Sequence, residues 1–246
     1  MRYRRVFWVF LLGFGLAAAL LYVLGAGPEA ARAATLCVRP SGSGCYTSIQ
    51  AAVDAAGDGD TIRVAEGTYY ETVEISKSVT LEGGWNADFG ARDWEMFPTT
   101  IDAEQSGPVI WVRAPVSPTI EGFIITGGDD SDGLGWGGGV KIYTGIYAKL
   151  GFTTIRHNVI TDNVACSASG CQGHGGGIFV YQSTAAIEYN TIVSNAARSA
   201  GNGGGQGGGV RIWSADATLL GNTIVSNTAV FVPTGSWTGK GGGVGT

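Results

Sequence analysis

Apolar and polar positions along this chain alternate in short runs with a period of two. Thr61-Ile-Arg-Val64, Thr72-Val-Glu-Ile75, Ser78-Val-Thr-Leu81 and Val109-Ile-Trp-Val112 each alternate or are β-branched, and Gly, Pro, Ser or Asp bounds each of them. That pattern predicts short strands. One segment has a different period. Ile49, Ala52, Val53 and Ala56 recur at i, i+3, i+4 and i+7, which predicts a helix over 47–57 with these residues on one face. Thr47 and Gln50 have the spacing of a capping box, and Gly57 supplies a stop. A helix ahead of the first strands would cover an open sheet edge and prevent strand addition there.

From Gly137 the pattern repeats. A Gly triplet followed by Val or Ile occurs at Gly137–Val140, Gly175–Ile178, Gly207–Val210 and Gly241–Val244, at intervals of 38, 32 and 34 residues. Asn158, Asn190 and Asn222 lie 32 apart, as do Asn163, Asn195 and Asn227. Ile155, Ile187 and Leu219 precede the first Asn column by three residues, and Ile160, Ile192 and Ile224 follow it by two. A fixed period of this length marks stacked supersecondary units. The middle repeat divides into three short strands near Ile178–Tyr181, Ala185–Tyr189 and Thr191–Ser194. Three strands and their turns make one coil, and successive coils pair in parallel about 4.8 Å apart. The predicted fold is therefore all-β, a right-handed parallel β-helix with three-strand coils and a short N-terminal capping helix. Equal positions stack, so Ile160, Ile192 and Ile224 fill the interior. Asn158, Asn190 and Asn222 form an amide ladder at a bend. None of these three Asn begins an N-x-S/T sequon.

The N-terminus has the composition of an export signal. Arg2, Arg4 and Arg5 precede an apolar stretch from Val6 to Leu24, and Ala31-Arg32-Ala33 offers a cleavage site. The stretch is 19 residues long, close to the length of a spanning helix. An uncleaved signal anchor is thus the competing expectation, and it would be the chain's only attachment to a membrane. The expected organisation is a signal peptide or anchor over 1–33, an N-terminal cap with the first coils over 34–136, and Gly-rich repeat coils over 137–246. Thr246 falls inside the first strand of a further repeat, so a truncated C-terminus is expected.

Four cysteines fall in two close pairs, Cys37 with Cys45 and Cys166 with Cys171. In an exported protein they are expected as disulfides. Without residues 1–33 the chain keeps 11 basic and 19 acidic groups, a net charge of −8, and 16 of those acids lie between Asp54 and Asp132. No basic stripe for nucleic acid is present.

The repeat residues carry a resemblance. Ile155-Arg-His-Asn158, Ile187-Glu-Tyr-Asn190 and Leu219-Leu-Gly-Asn222, with the Gly triplets, resemble the GGA-[ILV] and F-x-x-N repeats of chlamydial polymorphic outer-membrane proteins. Ile or Leu stands in place of Phe, and a third Gly in place of Ala. Gly59-Asp-Thr-Ile62 and Gly67-Thr-Tyr69, after a helix, are similar to the capped start of pectin-lyase-like β-helix proteins. The resemblance implies the β-helix and an exported, surface-displayed, adhesive role; a shared fold does not fix function.

Candidate chemistry concentrates on the first strand of each repeat. With Val140, Ile142, Ile178, Val180, Val210 and Ile212 inward, alternation sends Tyr143, Tyr181 and Trp213 outward as a column of rings. Lys141, Phe179 and Arg211 form a second column beside it. Stacked rings with nearby cations suit the apolar faces and hydroxyls of a polysaccharide. The competing expectation is that Gly-rich turns fold over these rings, or that the rings stabilise the sheet. Asp129, Asp130 and Asp132 before Gly133 are the candidate for calcium, the one cofactor considered; a solvent-exposed acidic turn is the alternative, because the full loop signature is absent.

Polygalacturonase-like motifs do not fit. Thr161-Asp162-Asn163, Asp129-Asp130, Gly173-His174-Gly175 and Arg211-Ile212-Trp213 are out of order or incomplete. A glycosidase also needs two carboxylates facing one bond. A lyase would use the Asp129–Asp132 carboxylates with Lys141 or Arg113 as base, and no spacing compels it. The expected function is a non-catalytic binding or adhesive role toward a polysaccharide or a host or neighbouring surface. A lyase or hydrolase and a structural spacer are the alternatives.

Overall fold

The computed structural model describes residues 32–41, 44–113, 115–131, 134–143, 151–168, 171–199, 205–231 and 242–246. The stretch up to Ala31 that is expected to be an export signal, and Asp132 and Gly133, lie outside the described residues. No helix among the described residues is long and apolar enough to cross a membrane.

Three faces of short parallel strands wind into a right-handed β-helix. The first face holds seven strands in spatial order: Thr35–Val38, Thr61–Ala65, Thr80–Trp85, Thr119–Glu121, Phe152–Arg156, Thr184–Glu188 and Asp216–Leu220. The second holds Gly67–Tyr70, Thr99–Asp102, Ile124–Thr126, Val159–Thr161, Thr191–Val193 and Thr223–Val225. The third holds Val73–Ile75, Ile110–Val112, Val140–Tyr143, Ile178–Tyr181, Val210–Trp213 and Val244–Gly245. The chain visits the faces in this order once per coil.

Register turns the sequence columns into interior columns. Ile62, Leu81, Ile120, Ile155, Ile187 and Leu219 align on the first face. Tyr69, Ile101, Ile125, Ile160, Ile192 and Ile224 align on the second. Val73, Ile110, Val140, Ile178 and Val210 align on the third. All are buried except Leu219 and Ile224, which pack against the core from the last described coil. Each buried Val, Leu or Ile contributes about 1.5–3 kcal/mol relative to exposure.

The Gly triplets have a steric cause. The first Gly of the first three lies at positive φ: 79° at Gly137, 66° at Gly175 and 65° at Gly207. A Cβ on the third would meet the carbonyl oxygen of the next coil, at 2.5 Å from Gly139, 2.6 Å from Gly177 and 2.8 Å from Gly209. The same Cβ would press on an Asn Nδ2 and on the Cγ2 of Ile160, Ile192 or Ile224. Glycine lets the coils close on the ladder.

The amide ladder is present. Asn158 donates its backbone N–H to Asn190 Oδ1 at 3.0 Å, and Asn190 donates its own to Asn222 Oδ1 at 2.9 Å. The second Asn column forms an equivalent ladder. Asn163 donates its backbone N–H to Asn195 Oδ1 at 3.1 Å, and Asn195 to Asn227 Oδ1 at 2.9 Å.

Two expectations are corrected. The coils in the repeat region add a fourth short segment: Ala196–Ser199 pairs with Thr228–Phe231, and Val164 bridges to Ala196. The helix runs Ile49–Ala55 and its N-cap is Ser48, not Thr47. Gln50 turns away from the cap, and its side-chain oxygen accepts the backbone N–H of Glu74. The following coil caps this helix at both ends. The Glu71 carboxylate accepts from the backbone N–H groups of Ile49 and Gln50 at 2.7 and 2.9 Å. Lys77 Nζ donates to the carbonyls of Val53, Asp54 and Ala56 at 3.1, 2.6 and 2.6 Å. An anion at the N-terminus and a cation at the C-terminus oppose the helix dipole and satisfy its end groups.

Candidate functional site: the ring column of the third face

Outward positions of the third face alternate with the interior column. Tyr143, Tyr181 and Trp213 are in register. Their ring centroids are 5.2 Å apart from Tyr143 to Tyr181 and 4.9 Å apart from Tyr181 to Trp213. The two tyrosines are half-buried, and Trp213 is 38% exposed. The predicted register of this column therefore holds.

Turn residues pack over part of it. Trp136 sits edge-on to Tyr143, Tyr181 and Trp213, with centroids 5.7, 5.6 and 5.8 Å away, and lies 5.4 Å from Phe179. His174 stacks on Phe179 and meets Trp213 edge-on. Phe179 is fully buried beneath them. Sequence reasoning did not place Trp136 or His174 at this site. Both stand directly before the first Gly of a triplet and pair with each other in parallel register, so the triplet period carried a signal for them, outside the strand runs where alternation applies.

The column beside the rings runs Glu74, Trp111, Lys141, Phe179 and Arg211. Lys141, expected outside, is buried. Its Nζ donates to Asp130 Oδ2 at 2.8 Å and lies 4.8 Å from the Trp111 ring centroid. Arg113 pairs with Glu74 at 3.2 Å and also lies over Trp111. Arg211 lies 5.9 Å from the Trp213 centroid. Burial lowers its pKa from the usual arginine range. Its Nε and the Nδ1 of His174 are buried without a hydrogen-bond partner among the described residues. Burial, helped by the charge of Arg211, lowers the His174 pKa from 6.5 to about 4, so the imidazole is neutral at pH 7. A cleft of about 100 Å³ between Glu74 and Trp111 continues the face toward the N-terminal coils.

Asp129 and Asp130 are buried rather than forming an exposed turn. Asp129 accepts hydrogen bonds from the backbone N–H groups of Ser131 and Ser167 and from both serine hydroxyls. Asp130 serves Lys141 and the backbone N–H of Trp136. The two carboxylates thus tie the turn to the face and to the segment after Val164. Among the described residues no group of three acids, His or Cys is placed to hold a metal ion. Cys37 is bonded to Cys45, and Cys166 to Cys171, as suits an oxidising environment.

A second set of rings lies at the corner after the first face. His157 stacks between Trp94 and Tyr189, with centroids 4.9 and 5.6 Å away. Beside it Glu121 is buried between Arg92 and Arg156. Burial alone would raise the Glu121 pKa, but the hydrogen bonds and charges of Arg92 and Arg156 outweigh it and hold the pKa below the usual carboxylate value. A larger hollow, about 570 Å³, lies against Ile212, Ala215 and Ala217 at the last described coil. No protein-family model, curated protein or solved structure matches this chain.

Proposed function

We propose that this protein is exported and binds an extended glycan, without catalysis, along the third face of its β-helix. The observation that carries this is the outward column Tyr143–Tyr181–Trp213, with adjacent centroids 5.2 and 4.9 Å apart. Rings stacked at the coil spacing offer flat, amphipathic contact area in a rigid array, at low entropic cost to the protein. A saccharide chain lying along the helix axis would meet one ring per coil. The disulfides support an extracytoplasmic setting. The resemblance to surface-displayed repeat proteins supports adhesion as the outcome of binding.

A spacer reading has its own observation. Trp136 covers part of the column and packs against its three rings and against Phe179 beside them, as a purely structural ring cluster would. Titrating the protein with a panel of neutral and acidic polysaccharides separates the two. Binding that is lost in Tyr181→Ser and Trp213→Ser, with the fold retained, is the expected result. Retained fold with no binding to any glycan favours the spacer. Release of new reducing ends or unsaturated uronides would instead establish an enzyme.

A further inference from the structure

Three cations stand on the outer third face, and they differ in what surrounds them. Arg113 is paired with Glu74, and Lys141 with Asp130. Among the described residues, no carboxylate pairs with Arg211. Its Nε is buried and unpartnered, and the buried imidazole of His174, close enough for Arg211 to act on its charge, has an unpartnered Nδ1. A buried polar group without a partner is costly and is a reason to look for the group that satisfies it. The surroundings make the cation exceptional. The whole chain carries −5, yet beyond residue 132 the only acids are Asp162, Glu188 and Asp216. Glu188 and Asp216 lie in first-face strands, and Asp162 follows the second-face strand Val159–Thr161. The upper end of the third face is thus locally positive in an acidic protein.

We infer that the Trp213 end of the column is an anion site, where Arg211 takes a carboxylate or sulfate carried by the bound saccharide and His174 hydrogen-bonds beside it. The inference rests on the glycan reading above and adds the charge of the ligand and where that charge sits. The guanidinium lies 5.9 Å from the Trp213 ring centroid. A sugar ring on Trp213 would therefore carry its substituents past the guanidinium. Arginine's planar fork matches a two-oxygen anion. His174, neutral at pH 7, offers one more polar nitrogen without adding charge.

The test is calorimetric titration of the whole protein with three oligosaccharides on one backbone: uronate-bearing, its carboxyl-reduced neutral counterpart, and a sulfated form. The anionic forms are expected to bind about tenfold tighter than the neutral one, the gain of one charge-assisted contact. Arg211→Gln should erase that preference, with an unchanged thermal unfolding midpoint reporting an intact fold. Arg211→Lys, with the charge but not the fork, should keep part of it. The anionic form with the larger gain identifies the group. A preference that survives Arg211→Gln overturns the site. Equal binding of all three forms, abolished by Trp213→Ser, overturns the anion site and leaves the ring column standing. No binding of any form by the wild-type protein removes both.

Discussion

Asn190 uses its whole amide at one corner of the β-helix. Its Oδ1 accepts from the backbone N–H and the side-chain Nδ2 of Asn158, and its Nδ2 donates to the carbonyl of Ile155 and to Asn222 Oδ1. A bend in a coil leaves backbone groups that neighbouring strands do not satisfy, and a stacked amide serves them coil after coil. Asn190→Ala removes these partners from buried groups at about 1–3 kcal/mol each. The expected loss is about 3 kcal/mol or more, read from the midpoint of denaturant unfolding at unchanged m-value.

His174 makes a second prediction at this scale. Its folded pKa, about 4, is below its ordinary 6.5. Between those values the unfolded chain takes up a proton that the folded chain refuses. Stability is therefore full above about pH 6.5 and falls as pH drops toward 4, by up to about 3 kcal/mol at roughly 1.4 kcal/mol per unit. His174→Gln should flatten the upper part of that window, from pH 6.5 to 5. An unchanged slope would mean that the imidazole is not held neutral by the fold.

At the scale of elements, the helix Ile49–Ala55 is short for independent stability. Its buried face and the two capping residues of the following coil, Glu71 and Lys77, hold it in place. Lys77→Met should uncap three carbonyls at once. Faster hydrogen exchange of the helix amides, with the repeat coils unaffected, is the expected outcome.

The sequence made this helix visible through its i, i+3, i+4, i+7 spacing but placed its cap at Thr47. Local capping rules consider only neighbours, whereas Glu71 reaches Ile49 from 22 residues away. The strands and interior columns were legible because a parallel stack turns a sequence period directly into spatial register. The fourth segment in the later coils was not legible, since Ala196–Ser199 has no clear alternation. The burial of Lys141 was also hidden: strand alternation sent it outward correctly, but its partner Asp130 and its cover come from turns outside the strand pattern.

At the scale of the molecule, the stack has a consequence for binding. A rigid array presents equal positions along one axis, so a ligand can be read in rungs. Tyr143 and Tyr181 are Tyr and Trp213 is Trp, while the first outward column changes from Trp111 through Lys141 and Phe179 to Arg211. Ring contact therefore continues along the face while charge varies from one coil to the next. The column could be drawn from strand alternation; its limits could not, because Trp136 and His174 lie outside the strands, at the position before each Gly triplet, where the repeat fixes a place but not the direction of a ring.

The most direct test of the ring column is affinity against oligosaccharide length, measured on the wild-type protein and on Tyr181→Ser, the middle rung. Affinity should rise with length until the ligand spans the three rings and then level off. Tyr181→Ser should cost long ligands more than short ones, while thermal unfolding shows the fold intact. Affinity independent of length, or binding of long ligands unaffected by Tyr181→Ser, would contradict a glycan site on this face.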